Sequence, residues 1–264
     1  GDRDVGLFVG RETELASLAA SLAAARDGRL QLLSLAGEAG IGKTRVVEHF
    51  TEELTRNGQI VLAARSPEEP GAPPFWPWIQ ILRGYLDSIP PIDLSAFLAG
   101  LEDIAHLVPE VRPKFHSSPP PLVDPLQARF RLFDAIATCL ERAAQRTPLA
   151  VVLEDIHRAD EASLLLLAYI TTAIPTSPLL VVTTYRDTHR NSSFARATAN
   201  LLRNPAARSL HITGLPGHNA AALLESLAKR KLDPAVIDIL YEKSGGNPFF
   251  LSQLARQITN FRID

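Results

Sequence analysis

The sequence predicts an α/β fold, a parallel sheet between two layers of helices, followed by an all-helical C-terminal segment. Three observations predict it. Short apolar runs bounded by turn residues alternate with helix-length segments as far as Gly214. In residues 60–64, 149–153 and 179–182 the apolar residues are consecutive rather than alternating, as in strands covered on both faces. Beyond Gly214 no further strand-like run occurs, and three helix-length segments remain.

Each element has its own signal. Leu15, Leu18 and Leu22 recur at helical spacing, so the first helix is expected over residues 11–26. Residues 30–36 are a short apolar run ending at Gly37, a buried strand. Residues 43–56 read as a helix stopped by Asn57-Gly58, and 60–64 as a second strand. Prolines crowd 66–77 and 109–125, which predicts loops there, with helices between them over 78–87 and 94–107. Pro125 suits the first turn of a long helix ending near Arg146. Residues 149–153 form a third strand, 162–174 a helix capped by Asp160, and 179–185 a fourth strand. A helix over 193–203 and a short strand over 209–212 complete the alternation. The C-terminal helices are expected over 218–229, 234–243 and 248–258. The chain thus divides into a sheet domain, 1–213, and a helical subdomain, 214–264, expected to be truncated.

Composition narrows the class. The chain has 264 residues, 46% hydrophobic and 21% charged, enough to bury a sizeable core. A net charge of -2 leaves no basic excess to coat a polyanion, so this segment is expected not to bind nucleic acid directly. The single cysteine, Cys139, is expected as a buried helix residue in a reducing compartment. No apolar stretch is long enough for a membrane span and no signal-like core opens the chain, so a cytoplasmic location is expected. Methionine is absent and the chain opens with Gly1, as expected of a piece cut from a longer protein.

Gly37-Glu38-Ala39-Gly40-Ile41-Gly42-Lys43-Thr44 fits G-x-x-x-x-G-K-[ST]. A chain of this composition meets that pattern by chance roughly 0.002 times. The match lies between a strand and a helix, the context the chemistry requires. Its glycines let backbone N–H groups converge on phosphate oxygens, and the following helix adds the positive end of its dipole. Lys43 would meet the β- and γ-phosphates and Thr44 would offer a hydroxyl to Mg²⁺. Arg45, next in the chain, is counted with the nucleotide-contacting residues. The predicted fold is therefore a three-layer P-loop NTPase domain with a parallel sheet, followed by an all-helical lid subdomain.

A phosphate loop needs an acid at the end of another central strand. Glu154 and Asp155 follow the third strand, where open α/β sheets place ligands. Glu154 is expected near Mg²⁺ and Asp155 as the group that orients or deprotonates water, and the two roles are exchangeable. Both are counted as metal residues with Thr44. The alternative is an acid that caps the next helix. His157 would position water or sense the γ-phosphate, against an ordinary structural histidine. Arg186 ends the fourth strand, where a cation would report the γ-phosphate, against an exposed pair with Asp187. Trp76 and Trp78, between prolines, read as packing anchors or a partner surface, because no basic cluster surrounds them.

Taken together, these pieces resemble the STAND class of signal-transducing P-loop ATPases, in particular the ATPase domain of large LuxR-type transcriptional regulators and related AAA-type modules. The matching residues are Phe8-Val9-Gly10-Arg11-Glu12 with Leu15, the loop from Gly37 to Thr44, Pro74-Phe75-Trp76-Pro77-Trp78, Leu153-Glu154-Asp155-Ile156-His157, Tyr185-Arg186-Asp187, and Gly245-Gly246-Asn247-Pro248-Phe249-Phe250. In this order they cover nearly the whole chain. The family commonly carries Trp where this chain has Arg158, which removes one packing contact and leaves the acids intact. The resemblance implies that Val9-Gly10-Arg11 packs on adenine and that Pro248 approaches the base from the lid. It implies ATP or ADP with Mg²⁺, slow hydrolysis, and a switch inside a larger regulator. It also implies further domains, such as a helix-turn-helix and helical repeats, and nucleotide-dependent self-association. The rivals are a ring-forming mechanical or DNA-loading AAA+ ATPase, a scaffold that only holds ADP, and a small-molecule phosphotransferase.

Overall fold

A computed structural model describes residues 7–67, 71–115, 124–187 and 193–260. Five parallel strands form one sheet: β1 (Gln31–Ala36), β2 (Ile60–Arg65), β3 (Leu149–Glu154), β4 (Leu179–Tyr185) and β5 (Ala207–His211). Their order across the sheet is β2-β3-β4-β1-β5, with β4 between β1 and β3. The register pairs Ala36 with Tyr185 and Arg65 with Glu154, so the strands end together along one edge.

Consecutive apolar residues are explained by the two faces. Leu33, Leu35, Ala150, Val152, Leu180 and Val182 pack toward α1 (Glu12–Arg26) and α2 (Lys43–Arg56). Leu32, Leu149, Val151, Leu153, Leu179 and Val181 point the other way. There they meet α3 (Trp76–Leu86), α5 (Pro125–Arg146), α6 (Glu161–Ala173) and α7 (Ser193–Leu201). Alternate side chains face opposite sides of a strand, so a strand covered twice carries apolar residues at consecutive positions, and the buried hydroxyls of Ser34 and Thr183 satisfy each other. Cys139 is buried on α5, and burial pushes its thiol up to about 12.

The proline-rich region departs from expectation in two places. A single helix over 94–107 is replaced by α4 (Pro91–Phe97) and a 3-10 turn, Glu102–His106. Gly100 between them has φ +77°, which interrupts helical continuation. Another 3-10 turn, Pro109–Lys114, lies inside the expected loop. Trp78 is a packing anchor: it is buried, and its indole N–H donates to Ser163 O at 3.0 Å. Trp76 is half-buried. Asp160 caps α6 by accepting from Ser163 N and also accepts from Phe75 N, tying the insertion to the sheet domain.

The C-terminal part is helical: α8 (Gly217–Ala228), α9 (Pro234–Ser244) and α10 (Pro248–Asn260). These helices share a small core built on Leu215, Ala220, Leu223, Leu224, Leu240, Leu251 and Ala255. Among the described residues no helix is long and apolar enough to cross a membrane.

Candidate functional site

The carboxyl ends of the strands and the helical part enclose one cleft of about 550 Å³, a ligand-sized volume. Its floor is the loop between β1 and α2. Gly40 and Gly42 have φ of +75° and +104°, which turn the backbone back on itself before the helix begins. A Cβ on Gly40 would sit 2.5 Å from Phe249 Cβ, so glycine there also admits the close approach of α10.

Lys43, the first residue of α2, is buried with its Nζ donating to Gly37 O at 2.9 Å and Glu38 O at 2.8 Å. Burial holds its ammonium below its ordinary pKa. The carboxylate of Asp155 opposes that shift, the Arg186 cation adds to it, and Asp187 opposes it again. All three charges thus converge on Lys43. Sheet order explains why: Arg186 follows β4, between the loop after β1 and the acids after β3. Asp187 does not pair with Arg186; its Oδ2 stands 2.8 Å from His211 Nδ1.

Thr44 Oγ1 donates to Glu154 Oε2 at 2.9 Å. Asp155 stands at φ +55°, a left-handed conformation that Asp tolerates better than most residues, and its N–H donates to Thr184 Oγ1 at 3.0 Å. That bend turns the chain sharply as it leaves β3. Among the described residues no group of three His, Cys or acidic side chains forms a metal cage. One hydroxyl and two carboxylates fit Mg²⁺ all the same, which keeps most of its shell as water and substrate phosphate oxygens.

The structure brings most of the expected residues to the cleft. Lys43, Thr44, Arg45, Asp155 and Arg186 line its polar end. Val9, Arg11, Ala39, Gly40, Gly42 and Pro248 line the cleft too. Arg45 also pairs with Glu48 at 3.9 Å. Gly37 and Glu38 contribute their carbonyls to Lys43. Glu154 stands just behind the wall, bonded to Thr44. Ile41 buries its side chain in the core under α1 and α2. Arg11 is buried and tied down, with NH2 donating to Ile41 O at 2.8 Å and NH1 to Thr213 O and Glu14. Gly10 lies against the side chain of Asn219. His157 is not brought into the cleft; its ring meets Phe194 edge-on at 6.5 Å.

Polar residues of the site that sequence reasoning does not single out include Ser252, Gln253 and Arg256 of α10, together with Arg65 and Asn247. Arg65, at the end of β2, donates to Glu154 Oε2 at 2.7 Å and stands 3.8 Å from Asp155. Asn247 is buried, donates from Nδ2 to Ala39 O at 3.1 Å, and accepts from Phe249 N. Phe249 N also donates to Gly40 O at 3.3 Å. The turn Gly245-Gly246 is explained by the same closeness: Leu215 N donates to Gly246 O, and a Cβ on Gly246 would strike Leu215 O. The helical part is therefore hydrogen-bonded to the glycine loop itself. The apolar end of the cleft is completed by Leu7, Phe8, Leu215, Leu223 and Leu227.

Residues 7–182 match the AAA ATPase domain family. No curated protein matches the chain. Among solved structures the fold is similar to a STAND protein with a tetratricopeptide repeat sensor, PH0952 from Pyrococcus horikoshii, with a TM-score of 0.57 and 18% identity. That likeness covers 97% of this chain and 33% of PH0952, so the chain spans a third of that protein's length. It is also similar to a variant of Thermotoga maritima RuvB, with a TM-score of 0.51, 17% identity, and coverage of 96% of this chain and 63% of that one. Aeropyrum pernix ORC1, solved in complex with DNA, gives a TM-score of 0.50 at 18% identity, covering 98% and 62%.

Proposed function

The chain belongs to the AAA ATPase domain family, and from that premise we propose that it is a slowly hydrolysing ATP/ADP switch in a larger cytoplasmic regulator, of the transcriptional LuxR type. The observation that carries the reading is the direct hydrogen bonding of the helical part to the phosphate loop, Asn247 Nδ2 to Ala39 O and Phe249 N to Gly40 O. Nucleotide in the cleft would touch both parts at once. A ligand shifts a conformational equilibrium only by its differential affinity for the two states. ATP and ADP differ by the γ-phosphate, and Lys43 and Arg186 are the cations that would meet it.

In this reading residues 1–213 form the ATPase domain and 214–264 the lid. Lys43 holds the β- and γ-phosphates, and Arg186 senses the γ-phosphate. Thr44 and Glu154 hold Mg²⁺, which would neutralise phosphate charge when bound. Asp155 orients the attacking water. Val9 and Pro248 flank the base. The STAND neighbour has a repeat sensor, which supports further domains in the parent of this chain.

The test is to identify the nucleotide carried by the purified protein, then measure turnover and particle size with ATP. Retained ADP, slow turnover and no closed ring support the switch. Rapid turnover by a closed ring would favour a mechanical ATPase, and turnover of zero with bound ADP would favour a scaffold.

A further inference from the structure

We propose that His49 is a positioning residue for the nucleotide base, acting through Phe8. The inference rests on the nucleotide reading and deepens it. Leu7, Phe8 and Val9 line the cleft, and the nucleotide reading puts the base against this segment. Among the described residues this segment pairs with no strand of the sheet, so side chains must hold it. Val9 packs on the core of the C-terminal helices, and Phe8 packs on the core beneath α1 and α2. The segment therefore bridges the two halves that the nucleotide would bridge.

Its most specific anchor is the Phe8 ring, which is stacked on the His49 imidazole with centroids 4.2 Å apart and planes 7° from parallel. His49 lies on α2, the helix that opens with Lys43, and is not itself among the residues lining the cleft. One rigid helix thus carries the phosphate-binding lysine at its start and the support of the base wall further along. The distance between phosphate site and base site is set by that helix. Loss of the imidazole would loosen the base wall while leaving the phosphate loop in place.

The experiment measures binding of ADP and of inorganic pyrophosphate to the unmodified chain, His49→Ala and His49→Phe, with a thermal midpoint for each. His49→Ala should weaken ADP roughly three- to tenfold, the range of a lost aromatic pair. Pyrophosphate, which has no base, should bind as before. His49→Phe keeps a flat ring and should restore ADP affinity. Unchanged ADP affinity in His49→Ala would overturn the inference. So would equal weakening of ADP and pyrophosphate, or a His49→Phe variant no better than His49→Ala. If the unmodified chain binds neither ligand, the nucleotide reading itself falls, and this inference with it.

Discussion

Arg65, the last residue of β2, reaches across to Glu154, the last residue of β3, with 2.7 Å between guanidinium and carboxylate. The two are register partners, so the contact follows from strand pairing. Arg65 is 51% exposed, and such a pair contributes at most about 1 kcal/mol to stability. Its position matters more. Glu154 Oε2 already accepts from Thr44, and a cation approaching that oxygen meets the charge of Arg65. Arg65→Ala should lower the Mg²⁺ concentration for half-maximal ATP turnover several-fold, with little change in thermal midpoint. A Mg²⁺ titration checks it; an unchanged half-maximal concentration means that Arg65 does not compete with the metal.

Lys43→Met separates two consequences of one buried ammonium. It removes the cation offered to phosphate, and nucleotide affinity should fall roughly ten- to a hundredfold. It also changes the pH response. Burial lowers the Lys43 pKa from its ordinary 10.5 in the folded chain. Between the lowered value and 10.5 the unfolded chain binds more protons, so stability rises with pH across that window. The cost of the buried charge is present in full below the lowered value and is shed as pH rises through the window. The unmodified protein should therefore gain stability relative to Lys43→Met on alkaline titration, read by denaturant unfolding. Parallel stability curves for the two proteins would contradict this.

Strand identities and the glycine loop are legible in the sequence because both leave local marks. Residues 179–182 are apolar in succession and lead into Thr183-Thr184-Tyr185, and β4 spans the expected 179–185. Residues 43–56 are bounded by Lys43 and Asn57-Gly58, and α2 has those limits. The expectation of one helix over 94–107 fails because the apolar residues keep helical spacing across Gly100, whose φ of +77° breaks the helix. Arg65 is not legible because its role depends on which strand lies beside β2, a long-range fact that no local pattern encodes. Asn247 stands inside a recognised motif, but its partner is Ala39, 208 residues away in the chain. His157 follows the acids closely in sequence, and the sharp bend at Asp155 is followed by a 3-10 turn, Ile156–Arg158, in which its ring faces Phe194 instead.

Asp155 can be probed by two substitutions that differ in backbone tolerance. At φ +55° Asn is among the residues most at ease, whereas Ala is strained. Asp155→Asn should fold as the unmodified protein does and bind ATP, yet lose hydrolysis, because an amide is a poor base. Asp155→Ala should lose hydrolysis and also about 1 kcal/mol of stability. Turnover and thermal midpoints of the two variants test both halves. Retained turnover in Asp155→Asn would move the water-activating role to Glu154.

The contact between Asn247 and Ala39 leads to a prediction about nucleotide release. Asn247 is buried, and its amide donates to the loop carbonyl while its oxygen caps the Phe249 N–H at the start of α10. Asn247→Ala would leave the Phe249 N–H without that side-chain acceptor and remove the amide donor from Ala39 O. Lost hydrogen bonds of this kind cost about 1 to 3 kcal/mol. Part of that cost falls on the closed arrangement alone, because the Ala39 bond exists only when α10 lies on the loop. ADP should then dissociate several-fold faster, while pyrophosphate, held by the loop, should be little affected. Gly40→Ala acts on the same contact from the other side. Its Cβ would lie 2.5 Å from Phe249 Cβ, and φ +75° already disfavours it. It should also speed ADP release and, unlike Asn247→Ala, weaken pyrophosphate, because it distorts the loop as well as the closure. Stopped-flow displacement of a fluorescent ADP analogue from both variants distinguishes the cases. If Asn247→Ala releases the analogue at the unmodified rate, closure of α10 on the loop does not retain the nucleotide.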